Sequence, residues 1–376
     1  MLYFDNCATT KPDDIAVDTI NDILRNNWGN PSSLHNMGVF SEEAVAKART
    51  QIARSLKTNA ENIYFTPSGT IADNMAILGS CETAKRKGNR IITTGIEHSA
   101  VYECFEHLKK TGYDVVYIDK LTDTETLIEE ILRNITSETI FVSVMHVNNE
   151  TGIVFDVERI AEEIKRKHSH IIFHTDAVQS YMKLPINLNR SSIDLLSVSA
   201  HKVHGPKGVG ALYIKKGVRV SPIIFGGGQE HGLLSGTENV AFIAGFGAVV
   251  EKNSPHIGTY YKKTRENSDY LRRKLEEIEG AKIFSPENTS PYIVSVGFHR
   301  IRSEIMLHFL ESMDVYVSSG SACSKGKKSR VLSMLGISSL DADTAIRISM
   351  DYFTSKEDID RLCAAIVEGT KRIIKS

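Results

Sequence analysis

Between residues 90 and 214, short runs of Ile, Val and other apolar residues alternate with stretches of helical spacing. Residues 90–96, 114–119, 139–147 and 171–178 have no polar face and read as buried strands. Residues 100–110, 124–134 and 157–168 place apolar side chains three and four apart, with charged outer faces, and read as helices. A strand without a polar face must be covered on both sides. Helical crossovers between successive strands provide that cover, so the pattern predicts an α/β fold with a mostly parallel sheet sandwiched by helices. Residues 195–199 and 209–214 add two strands, joined by a tight connection through His204-Gly205-Pro206.

The texture changes after Gly247. Residues 248–253 and 260–279 read as amphipathic helix, 293–298, 315–318 and 345–349 as short strands, and 303–311 and 358–374 as further helices. Ser355 and Asp358 form a capping-box-like start to the last helix. The 376 residues exceed what one core usually holds. The expected division is a large domain over 12–254 and a small α+β domain made of 1–11 and 255–376.

Charge and cysteine content exclude several classes. Lys plus Arg number 45 and Asp plus Glu 46, a balance unlike the basic excess of a nucleic-acid binder. No segment has the ~18 unbroken apolar residues of a membrane helix, and the start Met-Leu-Tyr-Phe-Asp-Asn has no signal core. The five cysteines, Cys7, Cys81, Cys104, Cys323 and Cys363, are scattered and contain no Cys-x-x-Cys pair. The expectation is a cytoplasmic protein with neither a structural metal site nor a disulfide framework.

Five stretches carry candidate chemistry. In Ser199-Ala200-His201-Lys202-Val203-His204-Gly205-Pro206-Lys207 a lysine ends an apolar strand. Beside other cations its neutral amine becomes more available, and a neutral amine can form a Schiff base; a solvated loop lysine is the other reading. Asp176, in Asp176-Ala177-Val178-Gln179, ends a buried strand where open α/β sheets place ligands, or serves as a helix cap. Thr66-Pro67-Ser68-Gly69-Thr70 opens a helix, an anion seat or a plain N-cap. Cys323 sits in a small-residue loop before Lys325, Lys327 and Lys328, which favour thiolate, or is an incidental thiol. Arg347, on a strand with apolar flanks, can fork onto a carboxylate or bridge across its sheet.

Together these stretches resemble the cysteine desulfurase family, in the class V aminotransferase superfamily of pyridoxal-phosphate enzymes. The likeness runs from Tyr3-Phe4-Asp5-Asn6-Cys7-Ala8-Thr9-Thr10 to the final helix. It includes Gly29-Asn30-Pro31-Ser32-Ser33-Leu34-His35, Glu97-His98, His146-Val147-Asn148-Asn149-Glu150-Thr151-Gly152 and Ser235-Gly236-Thr237. The resemblance implies a seven-stranded sheet and pyridoxal 5'-phosphate as cofactor. It implies that Lys202 holds the cofactor and moves a proton, Asp176 pairs with its ring nitrogen and His98 stacks on the ring. Gln179 and Asn149 would bond the phenolic oxygen and the substrate side. Gly69, Thr70, Ser199 and His201 would cradle the phosphate, with Thr237 donated across a homodimer interface.

Arg347 would hold the carboxylate of L-cysteine, and Cys323 would capture its sulfur as a persulfide, releasing L-alanine. The sulfur would pass to an acceptor protein such as an iron–sulfur scaffold, with Cys323 as a transient iron–sulfur ligand and no resident metal. Nucleic acid and membrane are not expected partners.

The chain departs from the family pattern in places. Gly69 stands where alanine is more common, and Leu234 stands where arginine is usual. The segment after Cys323 is shorter than typical, and the chain lacks the longer tail. The alternatives are a selenocysteine lyase, another aminotransferase-type enzyme of the same fold, or a non-catalytic protein that kept it. The co-occurrence of Lys202, Asp176, His98 and Cys323 disfavours the last. Gly226-Gly227-Gly228 lacks the spacing of a dinucleotide fingerprint or a Walker loop.

Overall fold

A computed structural model describes residues 1–119, 121, 123–287, 289–319 and 329–375. The chain opens with a two-residue strand, β1 (Leu2–Tyr3). Seven further strands form one sheet: β2 (Ile63–Thr66), β3 (Arg90–Thr94), β4 (Asp114–Ile118), β5 (Thr139–Ser143), β6 (Ile172–Asp176), β7 (Leu195–Ser199) and β8 (Gly210–Ile214). Their order is β2-β8-β7-β6-β5-β3-β4. β7, β6, β5, β3 and β4 pair in parallel, while β8 is antiparallel to both β7 and β2, so β8 alone is reversed.

The central strands β5, β7 and β8 are buried at every residue, as strands covered on both faces must be. Helices Gly69–Ala84 and Ser99–Lys110 supply part of that cover. Ala72, Met75, Ala76, Val101, Phe105 and Leu108 pack with Ile91, Phe141, Leu195 and Leu212 of the strands. Two long helices, Asp14–Asn26 and Asn36–Ser55, precede the sheet, and Val240–Asn253 follows it; the segment read as 248–253 is the tail of that last helix.

The contacts divide the chain into two compact units. The larger contains Lys11–His146 and Phe155–Ile257, and the smaller contains Met1–Thr10, Val147–Val154 and Gly258–Ser376. In the smaller unit β9 (Ala281–Ile283), β10 (Ile293–Phe298), β12 (Ser318–Ser319) and β13 (Ala345–Ser349) make an antiparallel sheet in the order β12-β13-β10-β9. β11 (Val315–Tyr316) instead pairs in parallel with β1. The single strand expected over 315–318 is thus two, separated at Val317 by a change of partner. Val294, Val296, Ile346 and Ile348 pack beneath helices Ile257–Glu276, Ser303–Ser312 and Lys356–Lys375. Ser355 and Asp358 cap the last helix reciprocally: the Asp358 N–H donates to Ser355 Oγ at 3.1 Å and the Ser355 N–H to Asp358 Oδ2 at 3.0 Å.

Candidate active site

In the larger unit the candidate residues gather at one edge of the sheet because parallel strands all end there. The chain order jumps between β4 and β5, which lie on either side of β3. Such a switch leaves a crevice beyond the carboxyl ends of the strands. Asp176 is the last residue of β6, Ser199 the last of β7, and His98 follows β3 by four residues. Lys202 lies in the single helical turn Ala200–Lys202 that leaves β7.

That turn is held on both sides. The Ala200 N–H donates to Val209 O at 3.1 Å, and the Gly205 N–H donates to Ala200 O at 2.9 Å. A side chain at Gly205 would sit 2.8 Å from Ala200 Cβ, so only glycine allows the fold-back. His204 adopts a left-handed φ of 65°, and its Nδ1 lies 3.0 Å from Lys11 O. These backbone bonds and the His204–Lys11 contact hold the loop without drawing on the Lys202 side chain.

The helix Gly69–Ala84 aims its N-terminus into the same edge. Ser68 caps it by accepting from the Ile71 N–H at 3.2 Å. The N–H groups of Gly69 and Thr70 precede the first intrahelical bond, which runs from Ala72 to Ser68 O at 3.1 Å. A Cβ at position 69 would come within 2.8 Å of Val178 Cγ2 and 3.3 Å of Ser199 Cβ. The glycine where relatives carry alanine thus lets the helix start, the Asp176 loop and the end of β7 close on one another.

His201 is pushed down to about 4, first by burial and then by the charges of Lys202, Lys207 and Lys183. It is a neutral imidazole in a cationic field, next to a helix N-terminus. Asp176 moves the other way: burial raises its proton affinity, opposed by His98, by the Val178 N–H at 2.8 Å and by Lys202. His98 caps the helix Ser99–Lys110, its Nδ1 accepting from the Ala100 N–H at 3.1 Å. That bond fixes the ring's orientation and leaves Nε2 as the protonated nitrogen of the neutral tautomer. Gln179 is buried and accepts from Lys183 Nζ at 3.4 Å.

Thr237 is exposed. Its loop is fixed by Glu230, which receives two 2.8 Å bonds from Arg49 and one of 2.9 Å from the Phe65 N–H. Leu234 is buried in the apolar cluster under the helix Gly69–Ala84, which accounts for an apolar residue at this position.

The smaller unit holds Asn149 and Arg347. Arg347 lies mid-strand in β13 opposite Ser295 and Ser318, so its sheet neighbours carry no charge to bridge. Its Nη2 donates to Asp5 Oδ1 at 2.9 Å and its Nη1 to Asn149 O at 3.0 Å. Glu150, next to Asn149, accepts from Ser329 Oγ at 2.6 Å, and burial raises its proton affinity. Cys323 lies outside the described residues. Cys7, Cys81, Cys104 and Cys363 are buried; burial pushes the Cys104 and Cys363 thiols up to about 12 and about 11, and Cys81 higher still.

Several residues at these sites escape sequence reasoning. Asp73, fully buried on the helix Gly69–Ala84, has its proton affinity raised by burial and by the nearby Asp176. His174, neutral through burial, lies 2.9 Å from Ser143 Oγ, 3.0 Å from Ser197 Oγ and 3.6 Å from Asp73 Oδ1. An acid on an otherwise apolar helix face was the available signal for Asp73. Lys183 is buried beside Gln179, and Asp5 reaches Arg347 across 342 residues of sequence.

The family model for class-V aminotransferases matches residues 2–362. A cysteine desulfurase of Nostoc sp. is 38% identical over 99% of this chain and 94% of its own length. Cysteine desulfurase IscS of Dictyoglomus turgidum is 36% identical over 96% of this chain and 92% of its own. Among solved structures, a NifS-like protein superposes with a TM-score of 0.91 at 36% identity, covering 98% of both chains. SspA in complex with cysteine gives 0.82 at 30% identity, over 94% of this chain and 100% of that one. The chain therefore belongs to the class-V aminotransferases and, within them, to the cysteine desulfurase family.

Proposed function

We propose that this protein is a pyridoxal-phosphate-dependent cysteine desulfurase that converts L-cysteine to L-alanine and leaves a persulfide on Cys323. The observation that carries the reading is Asp176. It is a buried acid at the carboxyl end of β6, within electrostatic reach of His98 and Lys202. A carboxylate so placed suits a protonated pyridine nitrogen. The capped but open N-terminus of the helix Gly69–Ala84, the neutral His201 and the lysine field around it suit a phosphate. The donor set thus fits both ends of the cofactor.

Pyridoxal phosphate, when bound, supplies an electron sink that drains charge from the substrate carbons. Asp176 would keep the ring nitrogen protonated, and His98 would lie against the ring. Gly69, Thr70, Ser199 and His201 would hold the phosphate, and Gln179 would bond the phenolic oxygen. Lys202 Nζ would anchor the cofactor and carry the substrate's α-proton. In the smaller unit Arg347 takes the substrate carboxylate, with Asn149 at its side. The Cys323 thiolate attacks the substrate sulfur, the carbon–sulfur bond breaks, and its electron pair with a proton completes the methyl group of alanine. Thiol plus cysteine gives persulfide plus alanine, so the step balances without an outside oxidant. The persulfide sulfur is then transferable to an acceptor thiol, such as that of an iron–sulfur scaffold protein.

Mass spectrometry after incubation with L-cysteine is expected to show one added sulfur on the peptide containing Cys323, with alanine released. Alanine formation without that adduct would replace this reading with a lyase or aminotransferase.

The protein is also read as a two-fold dimer. Thr237 is exposed, and so are Trp28 at 70% and Phe225 at 81%, large apolar side chains that a second copy would cover. Sedimentation is expected to give twice the 41.7 kDa chain mass, and a fully active monomer would remove this part of the proposal.

A further inference from the structure

Arg347 is 6% exposed, and its Nε has no hydrogen-bond partner among the described residues. A guanidinium offers five N–H donors in a planar fork. Asn149 O engages Nη1 and Asp5 engages Nη2, while Nε–H is buried with no acceptor among the described residues. A donor left unmatched in the interior marks where a ligand oxygen is to arrive.

Asp5 reaches this position through a chain of contacts. A bridge joins Asp5 to Ser349, two residues beyond Arg347 on the strand. The Ser349 N–H donates to Phe4 O at 2.6 Å, the Cys7 N–H to Ser349 Oγ at 2.9 Å, and Asn6 Nδ2 to Ser349 O at 3.0 Å. The Tyr3 hydroxyl donates to Thr9 O at 2.8 Å and holds the turn that follows. Such stitching over-determines the position of one carboxylate. The other charged or titratable groups acting on Arg347 are Glu150 and Cys7.

We propose that Asp5 is a built-in counter-anion of Arg347, a positioning residue that orients the guanidinium in the empty site and weakens its hold on the substrate and product carboxylate. This rests on the desulfurase reading, in which Arg347 takes that carboxylate. Two carboxylates on one guanidinium repel each other, and a neighbouring charge within about 4–6 Å shifts such an equilibrium by roughly one to three decades. The arginine thus remains ordered without substrate, and alanine leaves readily once formed. Without Asp5, Glu150 is the carboxyl group left acting on a buried cation, and burial raises its proton affinity.

The proposal predicts tightening, where loss of a purely structural contact predicts weakening. Asp5→Asn keeps a hydrogen-bond acceptor for Nη2 and removes the charge. L-alanine and L-alaninamide are titrated against the wild-type holoenzyme and this variant, following the absorption of the bound cofactor. Asp5→Asn is expected to bind alanine about tenfold or more tightly and alaninamide unchanged. In steady state, KM for cysteine falls and kcat falls with it as alanine release slows. Asp5→Glu restores the charge and is expected to return alanine affinity toward wild type. Weaker binding of both ligands, or equal change for both, would overturn the proposal. A wild type that binds alaninamide as tightly as alanine would instead sink the carboxylate role of Arg347 on which it rests.

Discussion

Lys202→Ala is expected to abolish the visible absorption of the bound cofactor and to lower turnover by at least about a thousandfold. A positioned acid–base group alone contributes ~10²–10⁴, and on the proposed reading this side chain is also the covalent anchor. The backbone around it is held by Ala200, Val209, Gly205 and the His204–Lys11 contact, none of which uses the lysine side chain. The variant is therefore expected to fold, with a circular dichroism spectrum and melting temperature that match those of the cofactor-free wild type. Purified Lys202→Ala that keeps the absorption band and near-normal turnover of cysteine would show that another amine carries the cofactor. Lys183, buried beside Gln179, is the residue to test next.

Cys323→Ser is expected to leave the absorption band intact and to lower alanine release from cysteine at least about a hundredfold, with no sulfur adduct on the protein. A hydroxyl is scarcely ionised at neutral pH and does not capture sulfur, whereas a thiol followed by Lys325, Lys327 and Lys328 ionises readily. No other cysteine can substitute. Cys7, Cys81, Cys104 and Cys363 are all buried, and the last three have thiols pushed well above their ordinary range. Selenium leaves more readily than sulfur, so selenocysteine breakdown is the activity expected to fall least. Equal alanine release by wild type and variant would make Cys323 a bystander.

The larger sheet was legible because its strands are apolar on both faces, a pattern that helices rarely imitate over five residues. β2 escaped notice: it has four residues, runs directly into Pro67, and its Tyr64 is only half-buried. The helix Asn36–Ser55 was equally hidden. It buries Gly38, Ser41, Val45, Ala48, Ile52 and Ala53, a stripe of mostly small residues in place of bulky apolar ones. Lys202 and Asp176 could be picked out because strand ends collect chemistry. Asp5 could not, because its meaning comes from pairing with Ser349 at the far end of the chain. The fork of Arg347 was one of two readings open from sequence. The structure shows an ion pair to a carboxylate outside the sheet, with one donor left over.

If Asp176 holds the cofactor as proposed, the neighbouring carboxyl groups Asp73 and Asp176 would make it a structural counter-ion as well as a reagent. Both have their proton affinity raised by burial. In the unfolded chain such groups ionise near pH ~4. Above that pH the unfolded chain gives up protons that the folded chain keeps, so this pair draws stability from the cofactor-free protein as pH rises. On the proposed reading, a pyridinium charge beside Asp176 would reverse its share of that loss. The melting temperatures of cofactor-loaded and cofactor-free protein should therefore draw apart between mildly acidic and neutral pH. Asp176→Asn, stripped of cofactor, should lose less stability over the same range. A chain emerging without its vitamin-derived partner thus folds with a charge defect at its centre, so cofactor supply acts on the amount of folded enzyme as well as on its rate.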